Sequence, residues 1–531
     1  MSLGDLHHIR ALREKEAWLF DAVPSSADGR RIVLYSMDPW QLGVFEQFLH
    51  LAFAQKGHRP VSIYYDGLLP ITAWENASVA APPLDRLRGR AEFIHRCFGI
   101  EPVGISRYLE AGPVRRQAEE LVSGLKDADL AELSYRGLPI GRIAARDLFQ
   151  YTLGCFEPST LAHIALYRVH LVHAVMSVDL ADAILDRESP DIVILANGKS
   201  VMYSYMYEAA RRRGVQVTTW EEGIYFDTSV VLANNDRAID FPFDAESWQA
   251  LKRRPFTPAE AEAVDQYFGR WRRQEATHYV YYDREHRDVD TILAQLRIPA
   301  DARLIALFPN IVWDTNALGK DRAFDGMLDW MTSTIRYMAS RPDRYLIIRA
   351  HPGEVRLTFK TRTPVKALLE SRFGRRLPSN VRIVGPESEF SSYEIGRRAD
   401  RSAVYTSTLG IELSLMGLSP LVCGAPFYAD RGFTHDVASR EEYFELLDGT
   451  RIPRPPDLDL LRRFMHAVIF RLVKRPEFFV GIHGHPQQPR VQVETFEGFP
   501  ESMPIFNGIV ESILADRSFV TLDPEAAPCP A

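Results

Sequence analysis

The sequence predicts an α/β protein made of two parallel-sheet domains facing each other across a cleft. Three observations carry that prediction. Short apolar runs alternate with helical patterns near residues 31–66 and again from 191 onward, which is the rhythm of βα units. The chain has 531 residues, a length that favours two domains over one. Finally, three apolar runs in the second half end in polar turns that carry His, Ser/Thr or Gly. Ligands of open α/β sheets bind outside the carboxyl ends of the strands, so these turns predict a pocket for a phosphate-bearing ligand.

The elements follow in order. Residues 31–36 read as a buried strand, Met37-Asp38-Pro39-Trp40 as a turn, then a helix pattern through Ala54 and a second strand at 61–66. Residues from about 85 to 188 have helical spacing, a helical insertion in the N-terminal half. The stretch 161–185 places His163, His170 and His173 on one or two helix faces. No carboxylate or Cys shares their spacing, so they read as packing or surface histidines. A strand at 191–195 ends at Ala196-Asn197-Gly198, a helix runs through Arg213, and Gly214 stops it. The strand 215–220 ends at Glu221-Glu222-Gly223. Thr257-Pro258-Ala259-Glu260 has the form of a helix start, with Pro at the first helical position. The chain from about 273 to 299 reads as a linker.

The second domain opens with a strand at 304–310 and a helix at 324–340. Strands at 345–349, 381–384, 402–406 and 420–423 follow, the last being the final clear strand. Helices are expected at 392–398 and 410–416, and the tail from about Asp523 is Pro/Ala-rich. The expected units are therefore 1–285, 300–485, and a C-terminal helix with tail at 486–531.

Composition narrows the function. With 46% hydrophobic and 25% charged residues the chain is an ordinary globular protein. A net charge of −7 disfavours a nucleic-acid partner. The clusters Arg211-Arg212-Arg213, Lys252-Arg253-Arg254 and Arg270 with Arg272-Arg273 read as solvated faces or as peripheral contacts to an anionic membrane. Four cysteines (Cys97, Cys155, Cys423, Cys529) form no CxxC pair, so neither a zinc site nor a disulfide framework is expected. No signal-peptide region is read at the N-terminus, and no run of about 18 apolar residues is read anywhere. A cytoplasmic protein, free or at the inner face of the cell membrane, is the expectation.

Each candidate site has a physical rationale. Two adjacent strand carboxylates point to opposite faces, so one of Glu221 and Glu222 can enter the cleft. Partial burial and a like charge raise a carboxylate pKa, which suits a general base for a hydroxyl. Pro352 restricts the conformations of His351, whose imidazole could hydrogen-bond a leaving phosphate or protonate it. Thr406-Ser407-Thr408-Leu409-Gly410 joins a strand to a helix, where hydroxyls and free N–H groups bind anions or simply cap. Glu412 can reach ribose hydroxyls or favour the helix dipole. Arg349, Lys320 and Arg431 are possible charge partners. An aromatic in Gly424-Ala425-Pro426-Phe427-Tyr428 can stack on a base or cover the core. The sequence carries no GxGxxG after the first strand, Walker lysine loop, GxSxG elbow, HExxH helix or strand-end DxD triplet.

The order Glu221-Glu222-Gly223, His351-Pro352, Ser407-Thr408 resembles the motif series of bacterial sialyltransferases and Kdo transferases. The longer context is similar to the capsule polysaccharide biosynthesis family. It includes Asn197-Gly198, Ile348-Arg349-Ala350-His351-Pro352-Gly353-Glu354, Ser391-Ser392-Tyr393-Glu394, Ser407-Thr408-Leu409-Gly410-Ile411-Glu412 and Gly424-Ala425-Pro426-Phe427-Tyr428 with Gly432-Phe433-Thr434. The similarity covers about residues 190 to 435. It implies a GT-B fold and inverting, metal-independent transfer from a nucleotide-sugar donor, with CMP-activated keto sugars favoured, to a saccharide or glycolipid acceptor. No cofactor is implied. In this resemblance Glu222 is the base, with Glu221 competing, and His351 serves the leaving phosphate. Pro352, Ser407, Thr408, Gly410, Glu412, Arg349 and Tyr428 bind the donor, and Asn197, Gly198 and Gly223 line the acceptor side. Ile224-Tyr225-Phe226-Asp227 stands where many relatives carry an Arg-Pro pair. A CDP-polyol phosphotransferase of teichoic-acid type and a non-catalytic GT-B subunit are the alternatives.

Overall fold

The structure, a computed structural model, describes residues 3–19, 28–37, 44–71, 76, 80, 82–155, 160–200, 202–223, 228–273, 288–315, 317–357, 359–480 and 490–522. Two six-stranded sheets organise them. The first contains β1 (Arg31–Ser36), β2 (Arg59–Tyr64), β3 (Val103–Gly104), β4 (Ile192–Ala196), β5 (Gln216–Glu222) and β6 (Val230–Asn234). Their order is β3-β2-β1-β4-β5-β6, parallel except for β6, which runs antiparallel to β5. The second contains β7 (Arg303–Phe308), β8 (Arg344–Arg349), β9 (Val381–Val384), β10 (Arg401–Val404), β11 (Leu421–Val422) and β12 (His435–Asp436). It is wholly parallel, in the order β12-β11-β10-β7-β8-β9. Each sheet reverses its winding once, between β1 and β4 and between β7 and β10. Both are Rossmann-like, and together they have the two-domain plan of a GT-B protein.

Both faces of each sheet are covered, which is why the strands read as continuous apolar runs rather than alternating ones. On the first sheet Val33, Tyr35, Val193, Leu195 and Val217 pack under the helical insertion. Ile32, Leu34, Ile192, Ile194 and Trp220 face the opposite way, against the helices Leu3–Lys15, Val44–Gln55 and Pro504–Leu514. Phe506 of that last helix meets Phe45 and Phe48 with ring centroids 6.2 Å apart in each case. Each such fully buried aromatic contributes roughly 1.5–3 kcal/mol. The piece expected as a separate unit at 486–531 therefore closes the core of the first domain. In the opposite sense, helices Ala245–Arg253 and Pro258–Arg272 pack with the second domain. Their Trp248, Val264, Tyr267 and Phe268 share a cluster with Phe464, Val404 and Val422. The expected capping of the second of these is present in full: Thr257 and Glu260 form a reciprocal capping box, with Pro258 in the first turn.

Some expectations change. The helix Leu161–Glu188 has 28 residues and is long and apolar enough, by composition, to cross a membrane. Scattered charges such as Arg168, Asp179 and Asp182 hid that run in the sequence. The helix is a core element: nearly every residue from 170 to 185 is buried. His170 packs edge-on to Tyr151 at 5.1 Å and His173 lies 6.2 Å from Tyr205. Strand β6 was not expected from the sequence. Residues 420–423 do not hold the last strand either, since β12 and a short hairpin, Phe479–Val480 with Arg490–Val491, follow. Within the expected linker, Val289–Gln295 is helical. Asp38-Pro39-Trp40, Ile224-Tyr225-Phe226-Asp227, Cys529 and the tail from Asp523 lie outside the described residues.

Candidate functional site

The acidic motif completes β5 rather than following it. Glu221 pairs with Val231 and Glu222 with Val230 across the antiparallel ladder. Strand alternation then puts Val217, Thr219 and Glu221 on the face of the helical insertion, and Trp220 and Glu222 on the other. The Glu222 N–H donates to Glu221 Oε1 at 3.1 Å. Asn197, at the end of the neighbouring strand β4, also hydrogen-bonds the Glu221 carboxylate. Its Oδ1 accepts the N–H groups of Lys199 and Ser200 at 2.8 and 3.0 Å, so its amide N–H is the end that reaches Glu221. That turn needs positive φ at Asn197 (34°) and Gly198 (74°), which Asn and Gly tolerate best. At Gly223 any side chain would meet Ser229, with a Cβ only 2.2 Å from its Oγ.

Burial pushes the Glu221 carboxyl up to about 7, opposed by its two hydrogen bonds and assisted by the charges of Glu222 and Asp314. Asp314 belongs to the loop after β7, in the other domain. Its charge acts on Glu221 from across the seam between the two sheets. The sequence ranked Glu222 first and Glu221 as its competitor; of the two, Glu221 is the one that burial raises.

Across the seam, three neighbouring strands of the second sheet end together. From β7, Asn310 donates its amide to Thr406 Oγ1 at 3.3 Å and accepts the Ile311 N–H at 2.8 Å. From β8 comes His351, whose Nδ1 accepts the Gly353 N–H at 3.0 Å. In the neutral ring Nε2 therefore carries the proton and is a donor. Burial, with the nearby Arg349 charge, lowers His351 to about 4, so it is neutral at pH 7. Pro352 (φ −61°) opens the short helix Gly353–Arg356, and Glu354 is wholly buried with its carboxylate accepting the Val365 N–H at 3.1 Å. From β10 come Ser407 and Thr408, just before the helix Leu409–Leu415.

Several donor-side expectations resolve differently. The Arg349 guanidinium is buried and donates to the carbonyls of Ala350 (2.9 Å), Gly385 (2.7 Å) and Ser388 (2.7 Å). It clamps the turns after β8 and β9 rather than presenting charge to a donor. Tyr428 is fully buried, and its hydroxyl donates to the Ser407 carbonyl at 2.7 Å. It props the hydroxyl loop from beneath. Gly410 makes room for it, since a Cβ there would lie 2.2 Å from the Tyr428 oxygen. Phe427 packs on Phe241 and Phe464 and covers the core. Glu412 is 5% exposed and is held by Tyr393, Thr408 and Trp271. Burial raises its carboxyl against those bonds. Arg431 lies over the Phe464 ring and donates to the Phe243 carbonyl at 3.4 Å. Lys320 does reach the seam, where it pairs with Asp240.

Lys199, Asp240, Asn310 and Asp314 were not singled out in the sequence. Lys199 carried the nearest signal, two residues beyond Asn197 at a strand end. Among the described residues, no group of three or more His, Cys, Asp or Glu side chains is arranged to hold a metal ion.

No protein-family model matches the chain, and no curated protein does. Among solved structures it is similar to KpsC of Thermosulfurimonas dismutans, described as a beta Kdo 2,7 transferase. Identity is 15% over 63% of this chain and 88% of that one, with a TM-score of 0.34. The beta Kdo 2,4 transferase of the same organism's KpsC gives 15% identity over 61% and 86%, with a TM-score of 0.33. A UDP-GlcNAc 2-epimerase from Neisseria meningitidis, bound to UDP-GlcNAc, gives 12% over 78% and 91%, with a TM-score of 0.22. Scores this low add nothing to the strand order and strand-end chemistry described above.

Proposed function

We propose that this chain is an inverting GT-B glycosyltransferase of the capsule polysaccharide biosynthesis type. In this reading it moves a sugar from a nucleotide-activated donor to a surface polysaccharide or glycolipid acceptor, working at the cytoplasmic face of the membrane. A CMP-activated keto sugar is the favoured donor. The observation that carries the reading is the strand-end arrangement: paired carboxylates at the end of β5 on one sheet, and an imidazole and hydroxyls at the ends of β8 and β10, either side of β7, on the other.

The chemistry follows from those groups. Glu221, when ionised, takes the proton of the acceptor hydroxyl as its oxygen attacks the anomeric carbon. The bond from that carbon to the donor phosphate breaks through an oxocarbenium-like centre, and the phosphate leaves with the electron pair. The His351 Nε2–H and the Ser407 hydroxyl donate hydrogen bonds to its oxygens as charge builds there; the Thr408 hydroxyl is held by Glu412. Attack from the base side, opposite the leaving phosphate, inverts the configuration. The acceptor proton stays on Glu221 until solvent removes it. A neutral His351 is a hydrogen-bond donor in this scheme and not an acid.

The test is product formation with CMP-, UDP- and GDP-activated sugars and a CDP-polyol, read as released nucleotide and product mass. Sugar transfer from a CMP-sugar supports the proposal. Polyol-phosphate transfer would replace it with the phosphotransferase alternative, and no turnover of any donor would leave a non-catalytic GT-B subunit.

A further inference from the structure

Lys199, Asp240 and Lys320 form a cluster at the seam that the mechanism above leaves unused. Asp240 Oδ1 accepts from Lys199 Nζ at 3.1 Å and from Lys320 Nζ at 2.8 Å. The Lys199 side chain is 8% exposed, and those of Lys320 and Asp240 are 21% exposed. Lys199 and Asp240 belong to the first domain, and Lys320 comes from the loop after β7 in the second. Arg146 lies alongside, donating to the Lys199 carbonyl and to Ser204 at 2.8 and 2.9 Å. Its own charge is met by Asp147 at 3.6 Å. Two ammonium groups thus share one carboxylate oxygen in a mostly enclosed place, an excess of one positive charge. Each ammonium has three donors and spends one on Asp240.

The turn that carries Lys199 is also the turn that orients the base. Asn197 accepts the Lys199 N–H at 2.8 Å and hydrogen-bonds Glu221. Lys199 and the Glu221 partner Asn197 thus stand on one turn of the first domain, the acceptor side in the proposed reading. We propose that Lys199 and Lys320 form an anion site for the acceptor, taking a carboxylate or phosphate group carried by the acceptor saccharide, with Asp240 as the internal counter-charge. This rests on the assignment of Glu221 as the base. It makes the acceptor an acidic saccharide, and the two lysines the residues that select it. Lysine suits that task as a point charge that accepts either oxyanion.

The test is calorimetric binding of glucuronic acid, inorganic phosphate and glucose to the full chain, with CMP-induced thermal stabilisation measured on the same samples. The wild type is expected to bind one anion in preference to glucose. Lys199→Met and Lys320→Met should each weaken that binding about tenfold or more, as loss of a charged hydrogen bond does. Asp240→Asn should tighten it. Preference for glucuronic acid assigns a carboxylate, and preference for phosphate assigns a phosphate. CMP stabilisation should be unchanged in the lysine variants. Equal binding of anion and glucose, or lysine variants that bind the anion like the wild type, would overturn the proposal. Displacement of the anion by CMP would overturn its assignment to the acceptor. If Asp240→Asn does not fold, Lys320→Met decides. Failure of CMP to stabilise any sample would count against the transferase reading, while the anion measurements judge the lysine site separately.

Discussion

The two sheets meet at one seam with opposite chemistry. The first offers carboxylates, Glu221 and Glu222, at the end of β5. The second offers uncharged donors, His351 and Ser407, at the ends of β8 and β10. Burial acts on both sides in the same physical sense, disfavouring charge. It raises Glu221 to about 7 and lowers His351 to about 4. The outcomes differ because an acid and a base respond in opposite directions. In the proposed mechanism Glu221 is then a base that titrates near neutrality, and His351 a neutral donor. One cause, enclosure at a domain seam, would serve proton removal on one side and phosphate stabilisation on the other.

That division of labour can be broken by mutation. The largest effect expected is from Glu221→Gln, which should lower turnover about 10²–10⁴-fold, the usual worth of a general base. Nucleotide binding should persist in that variant. Glu222→Gln should cost less, and the reverse order in steady-state kinetics would return the base role to Glu222. Next come His351→Ala and Ser407→Ala. Each should weaken nucleotide binding and turnover together, by about tenfold for a charge-assisted hydrogen bond. Loss confined to the acceptor KM would remove them from the phosphate role.

Smaller effects sharpen the comparison through pH. The rate should rise with pH through about 7 as Glu221 loses its proton, with no second limb from His351 between pH 5 and 9. Asp314→Asn removes a charge that raises Glu221, so the ascending limb should move to lower pH. A limb that stays in place would separate Asp314 from Glu221. Smallest is a stability effect. Glu46, Glu221 and Glu354 are each raised by burial from 4.5 to about 7. Between those values the native state binds more protons than the unfolded chain, so stability falls as pH rises across the window. Thermal melts at pH 5.5 and pH 8 measure it, and Glu46→Gln should flatten part of the slope.

The strands were legible because both faces of each sheet are buried, which leaves unbroken apolar runs such as those at 31–36 and 344–349. The two-residue strands β3 and β12 were not, since two residues carry no period, and β6 was missed as well. The His, Ser/Thr and Glu motifs marked the strand ends correctly, because polar residues after apolar runs are visible in one dimension. What each side chain touches was not visible. Arg349, Tyr428 and Glu412 have the chemistry of ligand contacts, and each also bonds the protein's own carbonyls or hydroxyls. Conversely, Asp240 and Asp314 acquire their partners only when the two domains meet, across gaps in sequence of 80 and 93 residues (from Lys320 and Glu221).

The most direct measurement is CMP-induced thermal stabilisation of the wild type, Glu221→Gln and His351→Ala, paired with single-turnover sugar transfer. A ligand that binds the native state raises its stability by mass action. The account predicts equal stabilisation of wild type and Glu221→Gln, a reduced shift for His351→Ala, and no transfer by Glu221→Gln. A Glu221→Gln protein that transfers sugar at the wild-type rate, or one that loses CMP stabilisation as fully as His351→Ala, would contradict the separation of base and phosphate site between the two sheets.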